Sequence, residues 1–403
     1  MSKKKDKYDP PDSPRSVGWT RRCVTRLSPP DLPWRLESGG SLSEVEIEYE
    51  TYGELNAARD NAILVLHALS GDAHVAGWDA EATATHRPWR RNKPGWWDAV
   101  VGPGKALDTR RFFVLCSNVL GGCYGTTGPR SICPETGRRY GLAFPRVTVG
   151  DWVRLQAKLL DCLGIERLHG VVGGSLGGQQ AIEWAMAYPE RVARCVVLAA
   201  APRLSAQGLA FNAVGRYSIM NDPLFLGGDY EDGQGPNAGL AAARMLAHIT
   251  YLSESGMHQK FGRRRRNHLR RDFGFGVEFE VESYLEYQGR TFVERFDADA
   301  YLYITRAMDY YDCAEAWGNG DLAAACRRVR ARVLVVAFSS DWLYPPAHGR
   351  EFAFQLCRAG ASVTYAEVPS SLGHDAFLVE THAVGRLVSS FFHPAAAEVR
   401  KRK

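Results

Sequence analysis

Gly173-Gly174-Ser175-Leu176-Gly177-Gly178 follows the apolar run Gly170-Val-Val and opens a helical stretch through Ile182, Trp184 and Ala185 that stops before Pro189. A G-x-S-x-G pattern at a strand-to-helix turn lifts a serine hydroxyl clear of a sheet. The glycines are small because strand and helix pack tightly around such a turn. The helix start adds a positive dipole and a free backbone N–H. Ser175 is therefore a candidate nucleophile. A glycine-rich turn whose serine merely caps the helix would carry the same letters, so the decision falls to its surroundings.

Outward from the turn, the apolar runs are short and rich in branched residues, as buried strands of a mostly parallel sheet should be. They are Ala62-Ile-Leu-Val-Leu, Phe112-Phe-Val-Leu-Cys, Cys195-Val-Val-Leu, Val333-Leu-Val-Val-Ala-Phe and Val363-Thr-Tyr-Ala-Glu-Val. Val45-Glu-Ile-Glu-Tyr-Glu-Thr-Tyr alternates with period two, which suits an antiparallel edge strand with one wet face. Asp151 to Leu163 places Val153, Leu155, Leu159, Leu160 and Leu163 on one helical face and stops at Gly164. This alternation predicts a doubly wound, mostly parallel α/β sheet. From Leu204 to Trp317 long amphipathic stretches replace the strands, so a helical cap is expected over 204–317. The core is then 17–203 and 318–397. Residues 1–16, charged and rich in proline, are expected to be a disordered tail.

Two loops past strand ends supply partners for the serine. Phe338-Ser-Ser-Asp341 follows one strand, and Ser370-Ser-Leu-Gly-His374 follows the last. Serine, then acid, then histidine is the chain order of this type of catalytic triad. Such loops lie at the carboxyl edge of the sheet, where ligands bind. The chemistry assigns attack on an acyl carbonyl to Ser175, proton transfer to His374, and orientation of the imidazole to Asp341. The oxyanion hole needs a second amide from the loop after an earlier strand. His67-Ala-Leu69-Ser-Gly fits, giving the backbones of Leu69 and Leu176 as donors and leaving His67 as a structural residue.

The 403 residues suffice for a sizeable core, and a net charge of +5 is too small to imply a nucleic-acid partner. Nine scattered cysteines without a CxxC pair suggest reduced thiols and a cytoplasmic protein. No run approaches the ~20 apolar residues of a membrane span. The histidines show no metal-ligand spacing beside a carboxylate, so neither a metal nor another cofactor is expected. Arg263-Arg-Arg-Arg-Asn-His-Leu-Arg-Arg271 is either a basic lure for phosphates or a solvated cap loop.

The chain also resembles the homoserine O-acyltransferases of the α/β-hydrolase superfamily from about Leu42 to Phe392. The resemblance is carried by Tyr52-Gly-Glu-Leu-Asn, His67-Ala-Leu-Ser-Gly-Asp-Ala-His-Val-Ala-Gly, Lys93-Pro-Gly-Trp-Trp-Asp and Gly102-Pro-Gly-Lys-Ala-Leu-Asp-Thr. It continues through Asn118-Val-Leu-Gly-Gly-Cys-Tyr-Gly-Thr-Thr-Gly-Pro, Ala243-Arg-Met-Leu-Ala-His-Ile-Thr-Tyr, Ser340-Asp-Trp-Leu-Tyr-Pro-Pro and Gly373-His-Asp-Ala-Phe-Leu. It implies acyl transfer from acyl-CoA to L-homoserine in methionine biosynthesis, on an α/β-hydrolase fold, in a homodimer formed through the cap. It adds Arg244 for the α-carboxylate of the acceptor and Asp375 for its α-ammonium. Succinyl-type members carry an arginine two residues after the triad aspartate. Here that position is Leu343, which favours acetyl-CoA, a co-substrate rather than a cofactor. Gln179 stands where many acetyl-type members have methionine. O-succinylation, acylation of L-serine, hydrolysis by the same triad and a non-catalytic binding role are the competing readings.

Overall fold

The eight strands of the central sheet are β1 (Cys23–Ser28), β2 (Val45–Tyr52), β3 (Ala62–Leu66), β4 (Phe113–Ser117), β5 (Gly170–Gly174), β6 (Arg194–Leu198), β7 (Arg332–Phe338) and β8 (Val363–Val368). They lie in the order β8-β7-β6-β5-β3-β4-β2-β1 in a computed structural model that describes residues 8–28, 33–85, 87–231, 233–266 and 273–393. The pairs from β4 to β8 are parallel; β2 is antiparallel to both β1 and β4. Every residue of β3 and β5 is buried, as a parallel sheet covered on both faces requires. The chain order reverses between β3 and β5, which pair through Leu64–Val171 and Leu66–Gly173. Their carboxyl ends therefore open side by side into the crevice where such sheets bind ligands.

The helices follow from equally local signals. In α1 (Val149–Cys162), Thr148 accepts from the Asp151 amide and Asp151 accepts from the Thr148 amide, a reciprocal cap. Beyond α1, Gly164 takes φ +68°, which stops the helix where the sequence predicts. The next helix, α2 (Leu176–Ala187), starts directly at the serine and runs through the core. Between β6 and β7 the chain forms α3 (Ala206–Met220), α4 (Asn237–Tyr251), α5 (Glu254–Phe261), α6 (Glu280–Val293), α7 (Ala298–Tyr310), α8 (Cys313–Gly318) and α9 (Leu322–Cys326). Among the described residues, no helix is long and apolar enough to cross a membrane.

Three expectations need correction. Val45–Tyr52 is not an edge strand: Cys23–Ser28 pairs outside it, and Glu48 and Glu50 are buried rather than wet. Arg87 meets Glu48 through two hydrogen bonds (2.6 and 2.9 Å), and His74 Nδ1 lies 3.1 Å from Glu50. Period-two alternation in β2 thus records two different buried environments, one apolar and one ionic. Residues 8–16 do not form a free tail: Trp78 Nε1 donates to the Asp9 carbonyl and Lys105 pairs with the Asp9 carboxylate at 3.5 Å. Residues 1–7 and 394–403 lie outside the described residues. The cap gives way to the core before residue 317. Arg203 and Asp312 form a bridge at its neck, and Trp317 on α8 donates to Glu183 on α2.

That last contact has a pH signature. Burial pushes the Glu183 carboxyl up to about 7 from an ordinary value of 4.5, against the pull of the Trp317 hydrogen bond and Arg328. With the folded value above the unfolded one, stability is lost as pH rises from about 4.5 through 7. The loss amounts to ~3 kcal/mol at full ionisation. Glu183→Gln, which can still accept from Trp317, is expected to raise the melting temperature at pH 8 and leave it nearly unchanged at pH 5. Equal effects at both pH values in thermal unfolding would contradict this account.

Candidate active site

Ser175 has φ 56° and ψ −123°, a conformation that costs a non-glycine residue about 1–3 kcal/mol and persists only where the surroundings enforce it. The enforcement is visible. The Ser175 amide donates to the Leu198 carbonyl of β6 at 3.0 Å. A Cβ at Gly173 would collide with the Gly177 carbonyl, and one at Gly177 with the Leu66 carbonyl. The two glycines thus let α2 begin against the end of β3, beside the His67–Asp72 loop.

His374 Nε2 lies 2.8 Å from Ser175 Oγ, and His374 Nδ1 lies 2.8 Å from Asp341 Oδ2. The structure thereby brings together all three residues proposed from chain order. Asp341 is itself fixed: its Oδ1 accepts from the Leu343 amide (3.0 Å) and the Tyr344 amide (2.8 Å). The Tyr344 ring stacks on the imidazole with centroids 5.3 Å apart. Burial favours a neutral His374, but the charge and hydrogen bond of Asp341 outweigh it, holding the pKa above its ordinary value. Such a group can take the serine proton near neutral pH and return it.

Leu69 and Ser175 line one cavity of about 50 Å³ with Leu204, Phe211, Met308 and Leu343, and among the described residues no charged side chain lines it. Among the described residues neither the Leu69 nor the Leu176 amide has a protein acceptor, as oxyanion donors require. His67 is buried with Nδ1 2.8 Å from the Ala68 carbonyl, and burial lowers its pKa, so it sits neutral beneath the site. A larger, mostly apolar cavity of about 640 Å³ lies beyond Trp342, against α5.

Arg244 is no surface residue. It is buried on α4, with Nη1 3.3 Å from the Ser70 hydroxyl and its guanidinium 4.6 Å from the Phe292 ring. Burial lowers its pKa, and Arg295 adds to that, while Tyr251 and Asp375 oppose it. Asp375 is half-buried and makes no hydrogen bond through its carboxylate among the described residues. Burial raises its pKa against the pull of His374, Arg244 and Lys260. A cation and an anion are thus held beside the triad, desolvated and without a mutual ion pair. That arrangement suits a zwitterion such as an amino acid. Of the basic run, Arg264 pairs with Glu280 (2.7 Å) and Arg265 with Glu278 (3.3 Å); 267–271 lie outside the described residues.

Sequence reasoning missed Arg295 and Tyr124, which meet at 3.0 Å beside the same loop. Arg295 is one arginine among many in the cap and carries no local motif. Only the pairing of distant elements singles it out.

Comparison with known proteins agrees with this geometry. Residues 61–381 match the alpha/beta hydrolase fold family. The homoserine O-acetyltransferase of Methanohalobium evestigatum is 52% identical over 88% of this chain and 70% of its own length. The homoserine O-succinyltransferase of Acidithiobacillus ferrooxidans is 52% identical over 91% of this chain and 94% of its own. The crystal structure of homoserine O-acetyltransferase from Bacillus anthracis superposes with a TM-score of 0.84 at 29% identity, covering 93% of this chain and 98% of that one.

Proposed function

Since this chain belongs to the alpha/beta hydrolase fold family and, within it, to the homoserine O-acyltransferases, we propose that it carries an acetyl group from acetyl-CoA to the side-chain hydroxyl of L-homoserine. The observation that carries this reading is the hydrogen-bonded Ser175–His374–Asp341 chain at the wall of a small uncharged cavity, with Arg244 and Asp375 beside it. Ser175 Oγ attacks the thioester carbonyl as His374 takes its proton, and the oxyanion meets the Leu69 and Leu176 amides. Collapse breaks the carbon–sulfur bond, and His374 returns its proton to the departing CoA thiolate. Homoserine then gives its hydroxyl proton to His374 and attacks the acyl-serine, with Arg244 on its carboxylate and Asp375 on its ammonium. Collapse then breaks the bond from the acyl carbon to Ser175 Oγ, which takes back the proton from His374, and the ping-pong cycle closes without a bound cofactor. Homoserine acylation is a step towards methionine. A cytoplasmic enzyme fits the free thiols of all nine cysteines. A homodimer paired through the cap fits the resemblance and the exposed Val214, Tyr217 and Met220 of α3.

Relatives of equal identity divide between acetyl and succinyl transfer, so the donor is read from the cavity. A succinyl carboxylate enclosed there would lack a cationic partner among the lining side chains, a costly burial. Leu343→Arg is accordingly expected to shift the kcat/KM ratio towards succinyl-CoA by roughly 10- to 100-fold, the worth of one charge-assisted hydrogen bond. An unchanged ratio would remove the cavity argument. The function itself is tested by crossing acetyl-CoA and succinyl-CoA with homoserine and serine and identifying products by mass. Exclusive formation of O-succinylhomoserine overturns the donor assignment. CoA release from acetyl-CoA that runs equally fast with and without homoserine points to hydrolysis instead. Serine, one methylene shorter, is expected to react roughly 10- to 200-fold less efficiently.

A further inference from the structure

Leu69 belongs to a loop, residues 67–72, that must be held still for its amide to meet an oxyanion. The core holds one end. Arg90 pairs with Asp72 at 2.6 Å and with Asp79 at 3.1 Å, and the Ala73 amide donates to Asn118 Oδ1 at 2.7 Å. The anchors at Ser70, the residue after Leu69, come from the cap. Arg295, just past the end of α6, donates through Nη1 to the Ser70 carbonyl and to the Tyr124 hydroxyl, each at 3.0 Å. Arg244 reaches the Ser70 hydroxyl, and both guanidiniums stand near the Phe292 ring, at 4.6 and 5.1 Å.

Arg295 has no carboxylate within ion-pair distance among the described residues. Desolvating a guanidinium for a carbonyl and a phenol gains less than doing so for a carboxylate, so fold stability accounts poorly for this residue. Its contacts instead converge on the loop that carries the expected oxyanion donor. We propose that Arg295 is a positioning residue that fixes the oxyanion loop from the cap, so that the cap and the oxyanion hole are set together. This rests on the acyl-Ser175 reading. It adds that the first half-reaction, in which no acceptor takes part, depends on a cap residue on the acceptor's side of the site.

The test isolates that half-reaction. Full-length wild type, Arg295→Met and Arg295→Lys are mixed with p-nitrophenyl acetate without homoserine, and the nitrophenolate burst is timed. Arg295→Met is expected to slow acylation roughly 10- to 100-fold, less than the 10²–10³-fold cost of deleting an oxyanion donor outright. Arg295→Lys is expected to recover part of the rate, because an ammonium can donate to the same two oxygens that Nη1 meets but sits on a shorter side chain without the rigid guanidinium plane. The KM for homoserine should move less than the acylation rate. Acylation at the wild-type rate in Arg295→Met overturns the proposal, as does a slowing matched by loss of folded protein in the melting curve. If the methionine variant does not fold, Arg295→Gln takes its place in the same measurement, and the same two outcomes overturn the proposal. A wild type that shows the burst but does not acylate homoserine refutes the acceptor assignment and leaves this proposal standing. Absence of any burst overturns both.

Discussion

Ser175→Ala is expected to lower turnover by about 10⁶-fold, the cost of removing the nucleophile from a comparable serine triad. The fold should not change with it. Alanine carries the same Cβ into the same φ of 56°, the Ser175 amide keeps its bond to the Leu198 carbonyl, and only the Oγ facing His374 is lost. Melting temperature should therefore stay within a few degrees while activity disappears. The variant should also show no acetyl mass increment after exposure to acetyl-CoA, whereas wild type trapped without homoserine should show one. Appreciable transfer by the alanine variant would mean that acyl-CoA and homoserine react directly, with His374 serving some other group. The two results together separate a covalent intermediate from a ternary complex, independently of the ping-pong rate law expected for the former.

The parts of the molecule legible in the sequence are those fixed by neighbours along the chain. The elbow could be read because the glycine at 173 is demanded by the Gly177 carbonyl, four residues on in the helix that follows its strand, although the glycine at 177 answers to the Leu66 carbonyl of the neighbouring strand. Asp341 could be read because it follows three residues after a plainly apolar strand, and His374 because it sits in the loop after the last strand, where chain order calls for the histidine. What could not be read depends on residues that meet only after folding. Glu48 and Glu50 look like the wet face of an edge strand until Arg87, Arg90 and His74, from about 25 to 40 positions later, are packed over them. Asp9 looks like part of a tail until Trp78 and Lys105 are found against it. Arg244 came only from family resemblance, because an arginine on an amphipathic helix is ordinarily solvated. Its burial against Phe292 and Ser70 is a property of the cap's closure on the core. Arg295 escaped both routes.

Asp341→Asn tests the electrostatic half of the site, and the expected loss is about 10⁴-fold in kcat by analogy with the same change in a serine protease triad. The geometry supplies the reason. Asp341 Oδ1 accepts from two backbone amides, at Leu343 and Tyr344, so an asparagine would keep its oxygen there and turn its NH₂ towards His374 Nδ1. Nδ1 must then accept, the imidazole proton moves to Nε2, and the nitrogen 2.8 Å from Ser175 can no longer take a proton. The same substitution removes the charge that raises the His374 pKa against burial. Wild type needs neutral His374, so its kcat/KM should fall as pH drops through a value above 6.5. In the variant that acidic limb should move to lower pH, because the main charge opposing burial is gone and only Asp375 still pulls the other way. A variant that lost activity but kept the limb in place would assign the titration to another group, Asp375 being the nearest alternative, since its pKa is also raised beside the imidazole. A variant that kept its activity would show that neither the tautomer nor the charge of His374 limits the reaction.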